Sequence, residues 1–475
     1  MSFQQGLSGL NTSSKNLDVI GNNVANAQTV GFKGSQAQFA DVYAASLTGA
    51  AGTQIGLGAK LSTVAQYFTQ GNISVSNNPL DMAINGKGFF RMSDNGAVTY
   101  TRNGQFQTDK QGYIVDSGGR HLTGYGVTTI PDPNNPTATI DVPDTGTPLD
   151  LRIDPNAQSN PKQSANAVLT YNLDSRLSSP TLGFVPTSAT PAPQTYNSAT
   201  SVQVYDSLGN AHSLTSYFVK LNSIGGVATP NAWAVFMSLD GAPINNGVNN
   251  TVDIGTSAGA SLGQPLVMQF NTDGTLNTAA GYRSGGTYNG ATQDVTGGTT
   301  FASNPPPMVR LYLDRVATAL GKTNGATTPV DISFDMKSST QFGADFAVSV
   351  ATQDGYASGK LSGFSISPNG GVLARYTNGQ TTTLGYVRLT NFPNPQGLLP
   401  MGNNQWIETS ASGQPVEGTP GVGSFGVTQS GAVEDSNVDL TQELVNMITA
   451  QRVYQANAQT IKTQDQVLNT LVNLR

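Results

Sequence analysis

Near the start of the chain Phe3, Leu10, Leu17 and Val24 recur every seven residues, with Leu7 and Ile20 beside them. That spacing predicts one amphipathic helix over residues 3–24 with its apolar stripe on one face. Ser2 followed by Gln5 fits a capping box at its first turn. The helix would run about 33 Å at ~1.5 Å per residue. Gly6, Gly9 and Gly21 each cost it about 1 kcal/mol relative to alanine, so alone in water it should be marginal. At the other end no Gly or Pro occurs from Ala432 to Arg475. There Leu440, Leu444, Met447, Tyr454, Ala458, Ile461, Leu468 and Val472 form a heptad-like seam that Gln451 and Asp465 interrupt. Ser436 and Asp439 offer an N-terminal cap, and a helix of about 40 residues would be ~60 Å long. The lengths are unequal, so the longer helix is expected to keep apolar surface that its own chain does not cover.

Between these ends the period changes to two. In residues 80–125 short apolar runs are cut at Asp94-Asn95-Gly96, Arg102-Asn103-Gly104, Lys110-Gln111-Gly112 and Gly118-Gly119, which predicts an antiparallel meander. The same grammar returns in residues 344–390, where Phe346, Val348 and Val350 alternate and Asn369-Gly370 and Asn378-Gly379 mark turns. Residues 201–221 read as a hairpin turning at Ser207-Leu208-Gly209-Asn210, followed by a strand in NAWAVFMSL. The Pro-rich stretches 131–148 and 178–194 read as linkers or long loops. The fold class expected is mainly β with α-helical termini, the domains nested in one another. Residues 1–35 and 432–475 would form a coiled-coil inner domain and 36–75 an extended connection. Residues 76–155 with 346–431 would form a split β domain, and 156–345 one or more inserted outer β domains.

Composition narrows the function. Charged residues are 11% of the chain, against about 25% in ordinary soluble proteins, and the formal net charge is -6. No cluster of Lys and Arg supplies the counterion release that nucleic-acid binding needs. With no Cys, thiolate catalysis and disulfides are excluded. His121 and His212 stand far apart without acidic or histidine residues at usual metal-ligand spacing, so both read as surface strand residues and no metal or other cofactor is expected. No run approaches the ~18 apolar residues of a membrane span, and the first residues lack the basic and apolar regions of a cleaved signal peptide. GVGSFG, residues 421–426, has the letters of a dinucleotide loop, but Pro415 and Pro420 precede it and a strand pattern follows, so it reads as a Gly-rich loop. LGKT, residues 320–323, lacks the first glycine of a phosphate loop, since position 316 is Val316. Acidic residues such as Asp94, Asp109, Asp273 and Asp354 sit in turns, where local backbone hydrogen bonds account for them.

Three segments carry a resemblance: SGLNTSSKNLDVIGNNVANAQTVGFKGSQAQFAD at the start, NGKGFF with YTRNGQFQTDKQGYIVDSGGRHLTGY after it, and GAVEDSNVDLTQELVNMITAQRVYQANAQTIKTQDQVLNTLVNLR at the end. They are similar to the bacterial flagellar rod and hook axial proteins and stand in that family's order. The terminal motifs are shared by rod, hook and hook-filament junction proteins. The large middle insertion and the stretch from Val202 to His212 resemble the hook proteins among them; the alternatives are a distal rod or junction protein of the same family or, outside it, a secreted β-rich adhesin or carbohydrate-active protein. The resemblance implies a non-enzymatic subunit, exported without a cleaved signal by the flagellar type III apparatus to the cell exterior. It implies self-assembly into a curved, flexible tube that joins rod to filament, with the distal rod protein, hook cap and junction proteins as neighbours. Phe3, Leu7, Leu10, Leu17, Ile20, Val24, Leu440, Leu444, Met447, Tyr454, Ile461, Leu468 and Val472 are then expected at the self-assembly interface. Asn22, Asn23, Asn26, Gly31 and Phe32 are expected to turn the chain from helix into β structure.

Overall fold

The computed structural model describes residues 2–42, 56–94, 96–133, 135–244, 251–255, 264–277, 279, 281–302, 306–321 and 325–473. Its α-helices are α1 (Ser2–Ala25), α2 (Leu313–Leu320) and α3 (Leu440–Asn473), and most other regular structure is strand. Two compact units divide the chain: Met1–Ala157 with Leu361–Arg475, and Gln158–Lys360.

In the first unit α1 is followed by β1 (Ser35–Val42) and β2 (Gly58–Gln66), an antiparallel hairpin with a bulge at Gln38/Phe39. Residues 36–75 are therefore not a plain connection. In SQAQFADV and GAKLSTVAQ only Ala37 and Ala65 are buried, and Phe39, Leu61 and Val64 stay exposed, so no continuous apolar face marks the hairpin in the sequence. Next, β3 (Ile73–Val75) pairs with Ala432–Glu434. The long C-terminal helix consequently begins at Leu440 and not at 432. Asp439 caps it, its Oδ1 accepting from the N–H groups of Thr441 (2.9 Å) and Gln442 (3.2 Å). The meander is present: Phe89–Asp94 pairs with Ala97–Thr101 and with His121–Asp132. Of its turns, Asn95 lies outside the described residues. The expected linker at 131–148 is instead one arm of a long hairpin, His121–Asp132 against Asn135–Asp150. Asn135–Asp150 pairs on one side only, and an edge strand of this kind is where proline such as Pro143 and Pro148 is tolerated. Leu80, Met82, Phe90, Ile114, Leu122, Val372 and Leu389 fill this unit's main core.

The second unit holds two sheets. One runs through Ser198–Tyr205, Ala211–Lys220, Ala232–Leu239 and Leu266–Gln269, and in it Ala232–Leu239 is buried at every position. The other orders Val252–Gly255, Met308–Leu311, Val330–Asp335, Asn166–Asn172 and Ala347–Gln353. Leu169, Phe218, Trp233, Val309 and Phe334 share one core with residues of both sheets. Because Ala347–Gln353 pairs with Asn166–Asn172, those residues belong here and not to the split β domain expected to resume at 346. Pro193–Thr195 is a 3-10 turn within the second Pro-rich stretch. Gly321 closes α2 in the left-handed conformation, and positions 322 and 323 of LGKT lie outside the described residues. The other motif behaves as a loop, with the strand Val427–Ser430 following it.

Candidate assembly face and junction

Helix α1 packs antiparallel on α3. A Cβ at Gly6 would stand 3.1 Å from Ile461 Cγ1, and one at Gly9 2.8 Å from the Asn457 amide. The glycines that weaken α1 by propensity are thus where α3 comes closest. Counted on from Gly6 and Gly9, the inward positions of α1 are Ser13, Asn16, Ile20 and Asn23; those of α3 are Met447, Ala450, Tyr454, Asn457 and Ile461, each at least half-buried. Toward their other end the helices stand apart around a groove of about 720 Å³, lined among others by Asn16, Ile20, Gln442 and Asn446. On another face α1 meets the hairpin: Ser8 Oγ donates to Ala59 O (2.5 Å) and accepts from Ala59 N (2.8 Å). Gln5 Nε2 donates to Gly56 O (2.7 Å), which corrects the capping role expected for it.

The apolar stripe is left outside. Phe3 and Leu7 are 44% and 45% exposed, and Leu440, Leu444 and Ile448 are 44%, 45% and 52% exposed. Val445, Val453, Val467 and Leu468 are exposed as well, while Leu10, Leu17 and Val24 are half-buried. Of the residues expected at an assembly interface, Ile20 is buried within the chain and Met447, Tyr454 and Ile461 face α1. The side chain of Val472 lies outside the described set. The pair thus turns Gly6, Gly9, Ser13 and Asn23 inward together with Ile20, Ala450 and Ile461, and leaves Phe3, Leu7, Leu440 and Leu444 on its surface.

The expected junction is a knot of hydrogen bonds. Asn23 is buried; its Nδ2 donates to Ser35 O (2.8 Å) and its Oδ1 accepts from Ser35 N (3.0 Å). It holds the first residue of β1 against the last turn of α1. Asn26 and Asn22 bond to each other instead, Asn26 Nδ2 reaching Asn22 Oδ1 (2.8 Å) and Asn22 O (3.0 Å). Gly31 has φ +70°, and a Cβ on it would lie 2.6 Å from Asn103 N. Its N–H donates to Glu434 O (2.7 Å), and Phe32 N donates to Thr29 O (3.2 Å).

Beyond these, three charged residues from distant parts of the chain meet where sequence reading had no signal. The Lys33 and Glu434 side chains are fully enclosed, Lys33 Nζ donating to Glu434 Oε1 (2.6 Å) and Thr69 O (2.8 Å). Arg102 donates to Glu434 Oε2 (2.9 Å) and Gly86 O (2.7 Å), and Gly71 N donates to Glu434 Oε1 (2.9 Å). Burial pulls Lys33 below its ordinary value; Glu434 opposes this and the Arg102 charge adds to it. Burial likewise lowers Arg102 against the pull of Glu434. Asn437 continues the knot: its Oδ1 accepts from Gly34 N (2.8 Å) and its Nδ2 donates to Tyr67 O (2.8 Å) and Thr69 Oγ1 (2.9 Å). The arrangement fastens the chain's two ends to its β region and offers no nucleophile with a base beside it. Among the described residues no group of three or more His, Asp or Glu is placed to hold a metal.

In the second unit His212 is not a free surface residue. Nδ1 lies 2.7 Å from Asp240 Oδ2 and Nε2 3.2 Å from Asp206 Oδ2. The bond to Asp240 raises its pKa above the ordinary value; burial works against that and Asp206 adds to it. His121 also meets a carboxylate, Asp150 Oδ2 at 2.9 Å.

Known proteins match along the whole chain. Residues 3–33 match the family described as "Flagella basal body rod protein" and 83–158 "Flagellar hook protein FlgE/F/G D1 domain". Residues 172–356 match "Flagellar basal body protein FlaE D2 domain" and 429–474 "Flagellar basal body rod FlgEFG protein C-terminal". The flagellar hook protein FlgE of Escherichia coli (strain K12) is 40% identical over 478 residues, covering 100% of both chains. That of Borreliella burgdorferi is 29% identical over 488 residues, covering 100% of this chain and 99% of the relative. A crystal structure of Helicobacter pylori flagellar hook protein FlgE2 covers 76% of this chain and 100% of its own at 15% identity and a TM-score of 0.45. With terminal helices and inserted β units in the order its sequence motifs require, and with a relative 40% identical from end to end, the chain belongs to the flagellar hook protein family.

Proposed function

We propose that the chain is a structural subunit of the bacterial flagellar hook. Copies of it assemble into a curved tube with the terminal helices innermost and the β units outward, and the tube acts as a flexible joint between rod and filament. The observation that carries this reading is the outward face of the helix pair. Phe3, Leu7, Leu440 and Leu444 stay close to half exposed while Gly6, Gly9 and Ser13 are turned inward. Isolated apolar residues on a surface are ordinary, but an apolar ridge on each of two packed helices marks an interaction face. Subunit contacts of one kind repeated along a helix give an open polymer, and many small polar contacts between outer surfaces let neighbours shift between near-equal arrangements as a bent tube turns. Distal rod, hook cap and junction proteins are its neighbours at the ends, and the flagellar type III apparatus delivers it.

The test compares the purified protein dilute and concentrated, by sedimentation, negative-stain microscopy and amide hydrogen exchange. Tubes are expected on concentration, with exchange at residues 440–473 slowed strongly relative to the dilute monomer. A protein that stays monomeric, with those residues already protected when dilute, overturns the reading.

A further inference from the structure

In the first unit the strand Phe89–Asp94 changes neighbour along one edge. Met92 and Ser93 pair with Leu122 and His121, while Phe90 and Phe89 pair with Leu389 and Thr390. Tyr386 and Val387 pair with Tyr125 and Gly124, so at Arg388 the chain leaves His121–Asp132 and crosses to Phe89–Asp94. The sheet forks at that residue. Arg388 N donates to Thr123 O (3.4 Å), Arg91 Nη1 to Thr123 Oγ1 (3.3 Å), and Thr123 Oγ1 to Arg91 O (3.0 Å). One step beyond the pairing of Leu389 with Phe90, Arg388 comes beside Arg91, and residues opposite each other on paired strands share a face.

The two arginines have one carboxylate between them. Glu417 Oε1 lies 3.3 Å from Arg91 Nε, and its Oε2 is paired with Arg388 Nη2. A guanidinium keeps its charge in a protein, so the cluster holds one positive charge in excess. Arg388 is 8% exposed. Burial pulls its pKa below the ordinary value; Tyr125 opposes this and the Arg91 charge adds to it. Hydrogen bonds are missing as well. Arg388 Nε and Nη1, Arg91 Nε and Thr390 Oγ1 are enclosed without a hydrogen-bond partner among the described residues, because the Arg91 N–H is out of line with Glu417. Thr390, two residues on from Arg388 and opposite Glu417 in the ladder, stands on the same face as both. Each buried donor left unpaired costs about 1–3 kcal/mol, and such a cluster of unmade bonds calls for an ion or water that completes it.

We propose that the fork between Arg91 and Arg388 is a binding site for a small, singly charged oxyanion such as the phosphate monoanion. One negative charge brings the cluster to neutrality, and oxygen acceptors suit guanidinium and hydroxyl donors. Water alone would fill the bonds and leave the charge. Glu417 guards the entrance: it stands on Val416–Gly418, which pairs on one side only, and its side chain is 24% exposed against 9% for Arg388. Turning that side chain outward opens the arginines from solvent, and its charge competes with the incoming anion.

The probe is inorganic phosphate on the acid side of neutrality, compared with chloride at equal ionic strength so that screening is common to both. Trp406 lies in the first unit and Trp233 in the second. Urea unfolding of the first is therefore read from Trp406 in a Trp233→Phe background, and of the second from Trp233 in a Trp406→Phe background. Phosphate at about twenty times its Kd is expected to raise the midpoint of the first unit by about 0.6 M, and the rise saturates. The second unit should show no saturable rise. Arg388→Met should abolish the effect, and Glu417→Gln, which removes the competing charge, should reach half of it at about one-tenth of the phosphate concentration. A rise that is absent, that grows without saturation in both units, or that survives Arg388→Met at full size overturns the proposal. If Arg388→Met does not fold, Arg91→Met takes its place, and half-saturation left unmoved by Glu417→Gln overturns the site by itself.

Discussion

Replacing Glu434 by alanine removes the carboxylate that Lys33 and Arg102 share inside the first unit. Two buried cations then face each other without a counter-charge, and the Gly71 N–H loses its acceptor. Breaking a buried ion pair from one side costs about 3–5 kcal/mol, and an abandoned buried N–H about 1–3 kcal/mol more. Taking about 4 kcal/mol and a urea slope of about 3 kcal/mol per M, the unfolding midpoint of this unit drops by ~1.3 M. The two tryptophans separate the units: Trp406 is buried in the first, its Nε1 bonded to Gln66 Oε1 (2.7 Å), and Trp233 is buried in the second. Urea titration of a Trp233→Phe background, followed by Trp406 fluorescence, reads the first unit alone. Glu434→Gln, which keeps an acceptor but not the charge, should fall between parent and alanine. A Glu434→Ala midpoint within about 0.3 M of the parent would refute the reasoning, because the cations would then be satisfied without the carboxylate.

Gly31→Ala must place a Cβ 2.6 Å from Asn103 N in a left-handed backbone; a loss of about 3 kcal/mol is expected in the same titration. Asn23→Ala gives up both bonds to the Ser35 backbone and should cost about 1–3 kcal/mol, whereas Asn22→Ala and Asn26→Ala, whose amides bond mainly to each other, should stay within about 1 kcal/mol of the parent; comparable losses from all three would count against a distinct role for Asn23. The pKa of His212 is raised by folding, so its contribution is complete below the unfolded value of about 6.5 and fades as pH rises through the folded value. Asp206 works in a different range. Burial alone would raise it, but bonds from Asn210 and His212 hold it below its ordinary value, so its contribution is lost only on acidification. The wall of α2 beside the histidine brings Leu313, Val316, Ala317 and Leu320 and no titratable group. The second unit, followed by Trp233 fluorescence in a Trp406→Phe background, should therefore lose stability as pH rises above about 6.5, and His212→Asn should flatten that slope.

The helices were legible because a seven-residue recurrence survives whatever packs on it: α1 was expected over 3–24 and spans Ser2–Ala25. Which face packs inside was not legible. The stripe with Leu7 and Leu10 reads as a surface for other copies, but nothing in the pattern names the residues that meet α3: its closest approach selects Gly6 and Gly9, where small size counts for more than apolarity. Strands with one buried face, such as Ser198–Tyr205, announced themselves; β1 and β2, which bury one residue each, did not. The junction asparagines were visible as a cluster, but only the structure separates Asn23, bonded to β1, from its neighbours. Lys33, Arg102 and Glu434 left no trace in any local pattern, since Lys33 and Glu434 are 401 residues apart and a lone charge reads as a solvated one. α2, eight residues long, is too short to establish a period.

The union of Lys33 with Glu434 also sets an order of events. Synthesis runs from the amino end, so the lysine is made long before the glutamate, and so is Arg102, 332 residues ahead of it. Until the final tenth of the chain has emerged, both cations lack their counter-charge, and closing the region around them is disfavoured by about 3–5 kcal/mol relative to the finished chain. The last strand before α3 thus supplies the charge for which Lys33 and Arg102 have been waiting.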